Sequence, residues 1–573
     1  MDKISKENKM SKKIQILKSK FKKYNIDGYI IPKNDDYFTE YSKINRLKII
    51  SNFSGSAGLA VILKNKNYLF TDGRYTIQSQ LESGKNFKII NFEKLVNCSL
   101  FKGLNLGIDP KLFTYKQIKK SFLKYNKVKF IKENLIDQIE KQKVNDLFPF
   151  FALNKNIVGE SSKSKISRIS NYLKKNKSDF IFISAPENVA WTLNIRGGDG
   201  PNSPMPNCRL IVSKTKKIFL ISKIEKCKKL FKDKIINSYQ FIDIKNFSKK
   251  ILNLIGKNFI IDDNSCSIYF ENIIKSKFRV IKREDPIYHF KSIKNKTEID
   301  NMKKAHILDG VALTKFLYWI KNINKKKITE VDAQNKLEKF REMNKNFLYP
   351  SFDTIAGSGK NGAIVHYRAN KKNCRILKNK DIFLCDSGGQ YKYGTTDVTR
   401  TICFTKPNTK IKNIFTNVLK GHIAVATTDL KKDNIGMKID SRARRFLKQD
   451  NLDYAHGTGH GVGFFLNVHE GPQSISKINK IKIKEGMILS NEPGYYKKNK
   501  FGIRIENLVY VKKLNKKVFF ENLTLAPIEN DLINFKLLTS SEKNYLFRYH
   551  LNVYSNISKY LNLKEKKWLA SFI

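Results

Sequence analysis

The chain has 573 residues, too many for one core, so two to four domains are expected. Hydrophobic residues make up 41% and aromatics 12%, which excludes a disordered chain and supplies several cores. A formal charge of +59 raises the case for nucleic acid or an anionic membrane, but the lysines are spread over nearly every block of ten without an arm, a stripe or RNA-type aromatic interleaving, so they read as a solvated surface.

In chain order, Met1 to Tyr24 is basic and amphipathic. It lacks the apolar stretch of a secretory signal, and Asp2 and Glu7 interrupt a mitochondrial-type presequence. Gly28–Pro32 reads as a strand, followed by a turn at Asn34-Asp35-Asp36. A strand pair then runs from Gly58 to Leu63 and from Tyr68 to Thr71. About 150 residues later the pattern returns, with a strand at Phe180–Ile183, a turn at Pro186-Glu187-Asn188, and a pair at Leu210–Ser213 and Ile218–Ile221. Strands alternating with lysine-rich helical stretches predict a duplicated α/β unit, covering 1–150 and 151–295. A third region, 296–516, opens on Thr297-Glu298-Ile299-Asp300, which resembles a capping box, and on a helix bearing Met302, Ala305, Leu308, Leu313, Phe316 and Leu317. A second helix starts at Thr329-x-x-Asp332. Beyond residue 350 the signal changes to short strands and glycine turns, and 517–573 is expected to be a helical extension. No run of 18 apolar residues predicts a membrane span. Seven cysteines without a CxxC pair fit a reducing, cytoplasmic compartment.

The chemistry gathers between residues 386 and 506. Asp386, Asp397, His460, Glu492 and Glu506 each sit in a polar or glycine-marked context. Acidic side chains at strand positions cost stability unless a cation compensates them. Asp381–Cys385 and Thr395–Phe404 read as hairpin arms. A turn centred on Tyr391 and Lys392 would set Asp386 directly opposite Asp397, at about 4.5–5.5 Å between Cβ atoms. Their alternative reading is a pair of turn or edge aspartates. In Gly502–Val509, Ile503 and Ile505 point one way and Arg504 and Glu506 the other. His456, His460 and His469 fall within fourteen residues, spaced by glycines that argue against a zincin helix. His366 ends an apolar run, Ala363–Tyr367, read as a strand. Gly357–Gly362 matches GxGxxG but has no following helix, so no dinucleotide site is expected. Oxygen-rich ligation with one histidine favours Mn²⁺, with Zn²⁺, Fe²⁺ or Co²⁺ as alternatives. Two ions about 3.5–4 Å apart can share a hydroxide for hydrolysis.

The joint set of Tyr349–Ile355, Ala363–Arg368, Cys385–Gly388, Gly394–Thr401, His456–Gly463, Val468–Glu470, Asn491–Gly494 and Gly502–Asn507 resembles the Xaa-Pro aminopeptidases (aminopeptidase P) of the pita-bread metallopeptidases. Ser54–Gly58, Thr71–Tyr75 and Ala190–Gly197 are similar to the N-terminal domains of the long, three-domain branch. The resemblance implies two related α/β, creatinase-like domains followed by a pita-bread catalytic domain. It implies that Asp386 holds one metal, that Asp397 and Glu506 bridge both, and that His460 and Glu492 hold the other, with Glu492 also shuttling the proton. His366 and His469 would stabilise the substrate carbonyl; His456, Tyr496 and Arg504 would line or brace the site; Arg196, from the second domain of this subunit or of a neighbouring one, would reach the substrate. The implied cofactor is a pair of divalent ions, most simply Mn²⁺. The implied partners are short peptides beginning Xaa-Pro and a second copy of the chain as a homodimer, with no specific nucleic acid and no membrane.

Overall fold

A computed structural model of the protein describes residues 2–142, 148–372 and 374–573. The chain divides into two compact units, one of 1–155 with 160–287, the other of 156–159 with 288–573.

The first unit holds two six-stranded sheets of the same design. One runs in the order Lys88–Asn91, Asn67–Thr71, Leu59–Leu63, Gly28–Pro32, Asn105–Ile108, Lys127–Phe130. The other runs Phe241–Asp243, Ile218–Ser222, Arg209–Ser213, Phe180–Ile183, Asn258–Ile261, Arg279–Lys282. Both show the same succession of pairings: parallel, antiparallel, antiparallel, parallel, parallel. Alternate residues of the first sheet's Gly28–Pro32 strand feed opposite cores: Tyr29 and Ile31 pack with Leu47 and Ile50, and Ile30 with Phe70 and Leu106. Burial on both faces explains why the strand reads as an unbroken apolar run. The basic N-terminal stretch is a helix, Asp2–Ser19, and its Met10, Ile14 and Leu17, followed by Phe21, fill the same core as Tyr29.

The second unit opens with a long helix, Lys296–Asn322. Its capping box is Asn295 with Glu298, two residues before the expected one, because Asn295 is the residue that accepts from the Glu298 N–H. The next helix, Glu330–Glu342, is capped by Thr329 and Asp332 as its sequence predicts. Three short antiparallel strands follow as a sheet: Ile355–Ser358, Ile382–Ser387 and Val398–Cys403. A five-stranded sheet runs Glu470–Ile475, Gly459–Gly461, Ile488–Asn491, Asn507–Leu514, Lys517–Asn522. The C-terminal extension therefore begins with a strand, and its helices Ser540–Ile557 and Leu563–Ala570 come after it. Val553 and Tyr549 of the first of these pack with Phe415 and Leu419 of helix Thr409–Ala426 and with Ile503 and Ile505.

Two local expectations are corrected. Ser387 pairs with Val398 and Asp386 with Thr399, so Asp386 does not face Asp397 directly. The turn centre lies between Lys392 and Tyr393, since Gln390 pairs with Thr395 and Tyr391 with Gly394. Strand Phe347–Pro350 sets this register by pairing with Gly389–Tyr391. The shift is two residues, one full strand period, so both aspartates keep the same face. The run Ala363–Tyr367 is not a strand. Gly359–Ala363 is a 3₁₀ turn that continues through Ile364–Tyr367, fixed by the Tyr367 hydroxyl donating to buried Glu330. All seven cysteines are free thiols, and Cys385 and Cys403 are buried strand residues.

Candidate metal centre

Three elements bring the carboxylates together. Strand Ile382–Ser387 supplies Asp386, the residue just before strand Val398–Cys403 supplies Asp397, and the break between strands Phe501–Arg504 and Asn507–Leu514 supplies Glu506. Single oxygens of Asp386, Asp397 and Glu506 lie within 4.8 Å of one another. Ligand atoms of His460, Glu492 and Glu506 form a second such group, and Asp397, His460 and His469 a third. Glu506 and Asp397 thus each belong to two groups, the arrangement that bridging ligands require. His469, expected at the substrate carbonyl, also stands within ligand distance, with its ring 4.3 Å from that of His460 and nearly perpendicular to it.

Glycines let these strands approach. A Cβ on Gly459 would sit 2.0 Å from the Ser490 carbonyl oxygen, so only glycine fits beside the strand that leads to Glu492. Glu492 stands just past Ile488–Asn491, its N–H donating to the Thr458 carbonyl at 2.8 Å. The His460 N–H donates to Ser490 Oγ, and that hydroxyl donates to Glu492 Oε1 at 3.1 Å. His460 Nε2 lies 3.4 Å from Asp397 and 3.5 Å from Glu492. The site has one open side: the side chains of His460 and Glu492 are 20% and 18% exposed, that of Asp397 only 6%.

Behind the carboxylates, Arg504 is fully committed. Nη2 donates to Asp386 Oδ2 at 2.5 Å, Nη1 to the Tyr496 hydroxyl, and Nε to Thr399 Oγ1 at 3.0 Å. Thr399 in turn donates to Glu506 Oε2 at 2.8 Å. Tyr496 also meets His456 Nε2 at 2.8 Å. A single cation therefore orients two of the acids, one directly and one through a threonine. Sequence reasoning missed Thr399. Its only signal is its place two residues after Asp397, on the same face of the strand.

The electrostatics are those of a crowded anionic site. Burial raises Asp386 to about 6; Arg504 opposes the shift, and Asp397 and Glu492 add to it. Burial, then Asp397, Glu492 and Asp386, push Glu506 well above the usual carboxylate range. Burial pushes His460 down, but its hydrogen bond to Asp397 and the charges of Glu492 and Asp397 outweigh this and lift it to about 9. For Glu492 burial acts upward, while His460, His456 and Arg504 prevail and hold it below its ordinary value. Burial lowers His456 to about 4. Such mutual repulsion among buried carboxylates is what a divalent cation relieves. Asp386 Oδ1 is buried without a hydrogen-bond partner, a costly state for a carboxylate oxygen unless a cation meets it. This orphaned oxygen and the mixed carboxylate–imidazole donor set fit divalent metal.

Of the remaining expected residues, His366 is half-buried in the turn after the 3₁₀ segment that packs on strand Phe501–Arg504. Arg196 belongs to the other unit. It is buried there and donates through Nη1 to the carbonyls of Ala190 and Ile195. A further acid-and-thiol cluster, Cys403, Glu529 and Asp531, is already neutralised by Lys321, which bonds both carboxylates.

Carboxylates gathered with histidines on a mixed sheet-and-helix scaffold are the donor set of metal-dependent hydrolases. Residues 300–513 match metallopeptidase family M24 and 517–571 the C-terminal region of that family; 13–138 and 140–298 match creatinase/prolidase N-terminal domains. Xaa-Pro aminopeptidase 1 of Dictyostelium discoideum is 37% identical over 98% of this chain and 96% of its own. A probable Xaa-Pro aminopeptidase P of Laccaria bicolor is 35% identical over 96% and 91%. The crystal structure of X-prolyl aminopeptidase from Caenorhabditis elegans, a cytosolic enzyme with a di-nuclear active site, superposes with a TM-score of 0.90 at 28% identity, covering 98% of this chain and 99% of that one. The chain belongs to metallopeptidase family M24, in its Xaa-Pro aminopeptidase branch, and is a metal-dependent hydrolase.

Proposed function

We propose that this enzyme releases the N-terminal residue from short peptides with proline in the second position, using two divalent ions, most simply Mn²⁺. The observation that supports this most directly is the convergence of Asp386, Asp397, His460, Glu492 and Glu506 on one partly open site. Two such ions, when bound, lower the pKa of water and stabilise charge on the scissile carbonyl. Asp386 would hold one ion, His460 and Glu492 the other, with Asp397 and Glu506 between them.

The chain's own groups do the rest. Glu492, held ionised, takes up at its carboxylate the proton that the attacking water loses and returns it to the leaving proline nitrogen. His469, edge-on to His460, and His366 donate to the carbonyl oxygen as charge develops there. Arg504 and Tyr496 keep Asp386 aimed, with His456 bonded to Tyr496. Arg196, of this subunit or a neighbouring one, is assigned to the substrate-binding set by the likeness of Ala190–Gly197 to the family alone. Proline lacks an N–H, so a site that grips the carbonyl and packs the ring loses nothing at that position. The same reading gives a cytoplasmic homodimer with no nucleic-acid or membrane partner.

Steady-state hydrolysis of Arg-Pro-Pro and of the dipeptide Arg-Pro by the Mn²⁺-loaded protein tests the proposal. The tripeptide is expected to be cleaved, and far better than the dipeptide. Cleavage of the dipeptide alone would make the protein a prolidase.

A further inference from the structure

The segment 450–458, which presents His456 and leads into the strand bearing His460, has no helix or strand of its own. It contains Gly457, and Gly459 at the start of the strand cannot bear a side chain because of the Ser490 carbonyl. Such a segment is conformationally permissive and must be fixed from outside. The fixing element is helix Gly436–Gln449, through Asp440 and Arg444. These residues are one helical turn apart and form an ion pair, Nε to Oδ2 at 2.7 Å, with each residue 2% exposed.

Their remaining atoms reach the loop at every second residue. Arg444 Nη1 donates to the Tyr454 carbonyl at 2.7 Å and to Asp453 Oδ1 at 2.6 Å. Arg444 Nη2 donates to the His456 carbonyl at 2.6 Å. Asp440 Oδ1 accepts from Thr458 Oγ1 at 2.6 Å, and the Thr458 hydroxyl also meets that of Tyr454. The guanidinium lies 3.9 Å from the Tyr454 ring centroid. Thr458 then accepts the Glu492 N–H, so the clamp extends to the strand end that bears Glu492. Three loop positions, 454, 456 and 458, are thereby pinned by one charge pair.

We propose that Asp440 and Arg444 are positioning residues for catalysis, setting the separation of His460 and Glu492 and thus the geometry of the more exposed metal position. The proposal rests on the two-metal aminopeptidase reading. A buried ion pair is weak as a source of net stability and well suited to selecting one geometry. Groups that orient metal ligands in this way typically alter metal affinity or activity by about 10–100-fold when removed. The planar fork of arginine bonds several acceptors at fixed angles, which lysine cannot reproduce.

The test uses full-length Arg444→Met and Arg444→Lys, with Asp440→Asn as a milder variant that preserves shape if Arg444→Met does not fold. Turnover of Arg-Pro-Pro is measured with Mn²⁺, and Co²⁺ titration is followed by visible absorption. The expected result for the folded Arg444→Met or Asp440→Asn protein is a kcat lower by about 10-fold or more, KM within threefold of the parent, and a weakened or altered Co²⁺ spectrum. Arg444→Lys should fall between the two. A folded variant with the parent's kcat and Co²⁺ spectrum would overturn the proposal. Should the parent bind Co²⁺ but fail to cleave Xaa-Pro peptides, the functional reading fails instead, and the Co²⁺ spectra still decide whether the clamp sets the site.

Discussion

Among the described residues, no lysine or arginine pairs with Asp397 as Arg504 does with Asp386, and His460 Nε2 lies 3.4 Å from Asp397. Its carboxylate is buried by the fold and placed where both groups of potential ligands meet. Asp397→Ala should therefore abolish turnover of Arg-Pro-Pro while leaving the circular dichroism spectrum near that of the parent; normal activity would refute the ligand assignment. The protonation pattern makes a second, pH-dependent statement. His460 is raised to about 9 and Glu506 well above its ordinary value, so in the metal-free protein the folded state holds more protons than the unfolded one. Stability from these groups is complete at low pH and is lost as pH rises through their folded values. Between pH 7 and 9 His460 is the group of the metal centre that loses its proton, whereas His456, His422 and His550, lowered by burial, have finished titrating below it. The gap in unfolding temperature between Mn²⁺-loaded and chelator-stripped protein should therefore widen from pH 7 to pH 9. A gap independent of pH would mean that metal does not replace those protons.

At the level of elements, the candidate ligands are legible where the chemistry is local. An acid beside a Pro-Gly turn, an Arg-x-Glu at a strand end and histidines among glycines each mark themselves in the sequence, and all converge here. Register was less legible. The hairpin is set by pairing of Gly389–Tyr391 with Phe347–Pro350, about 40 residues upstream, and by Ser351 donating to the Thr396 carbonyl. No local pattern reports such a contact. His366 was misread in the same way: an apolar run resembles a strand, but Tyr367 is drawn into the Glu330 network and folds it into a turn. The clamp from helix Gly436–Gln449 was not legible either, since Arg444 at i+4 from Asp440 reads as an ordinary surface pair until its burial is known. The close approach of strands yields a direct test. Gly459→Ala places a methyl 2.0 Å from the Ser490 carbonyl, so the strand bearing His460 must move. A loss of about 1–3 kcal/mol in urea unfolding is expected, together with weaker metal retention; an unchanged midpoint would show that the strands are not so tightly apposed.

Across the whole molecule, duplication precedes catalysis. The first unit repeats one sheet design twice, while the acids and histidines of the metal centre all lie in the second. Among the described residues the positive charge is spread over many elements. Lys64 pairs with Asp27, Lys214 with Asp179 and Lys512 with Glu521. Any retention of RNA should thus be nonspecific. In an electrophoretic shift experiment it should vanish between about 50 and 200 mM salt, and a sequence-selective complex surviving at the higher salt would require a binding face that the charge distribution does not suggest. No helix among the described residues is long and apolar enough to cross a membrane.

Five side chains dispersed over 121 positions, from Asp386 to Glu506, are proposed to cage two ions. Anomalous diffraction from crystals grown in Mn²⁺ tests this most directly. Two peaks about 3.5–4 Å apart are predicted, one beside Asp386, the other beside His460 and Glu492, with Asp397 and Glu506 between them. An absence of peaks there, or a single ion held elsewhere, would contradict the account.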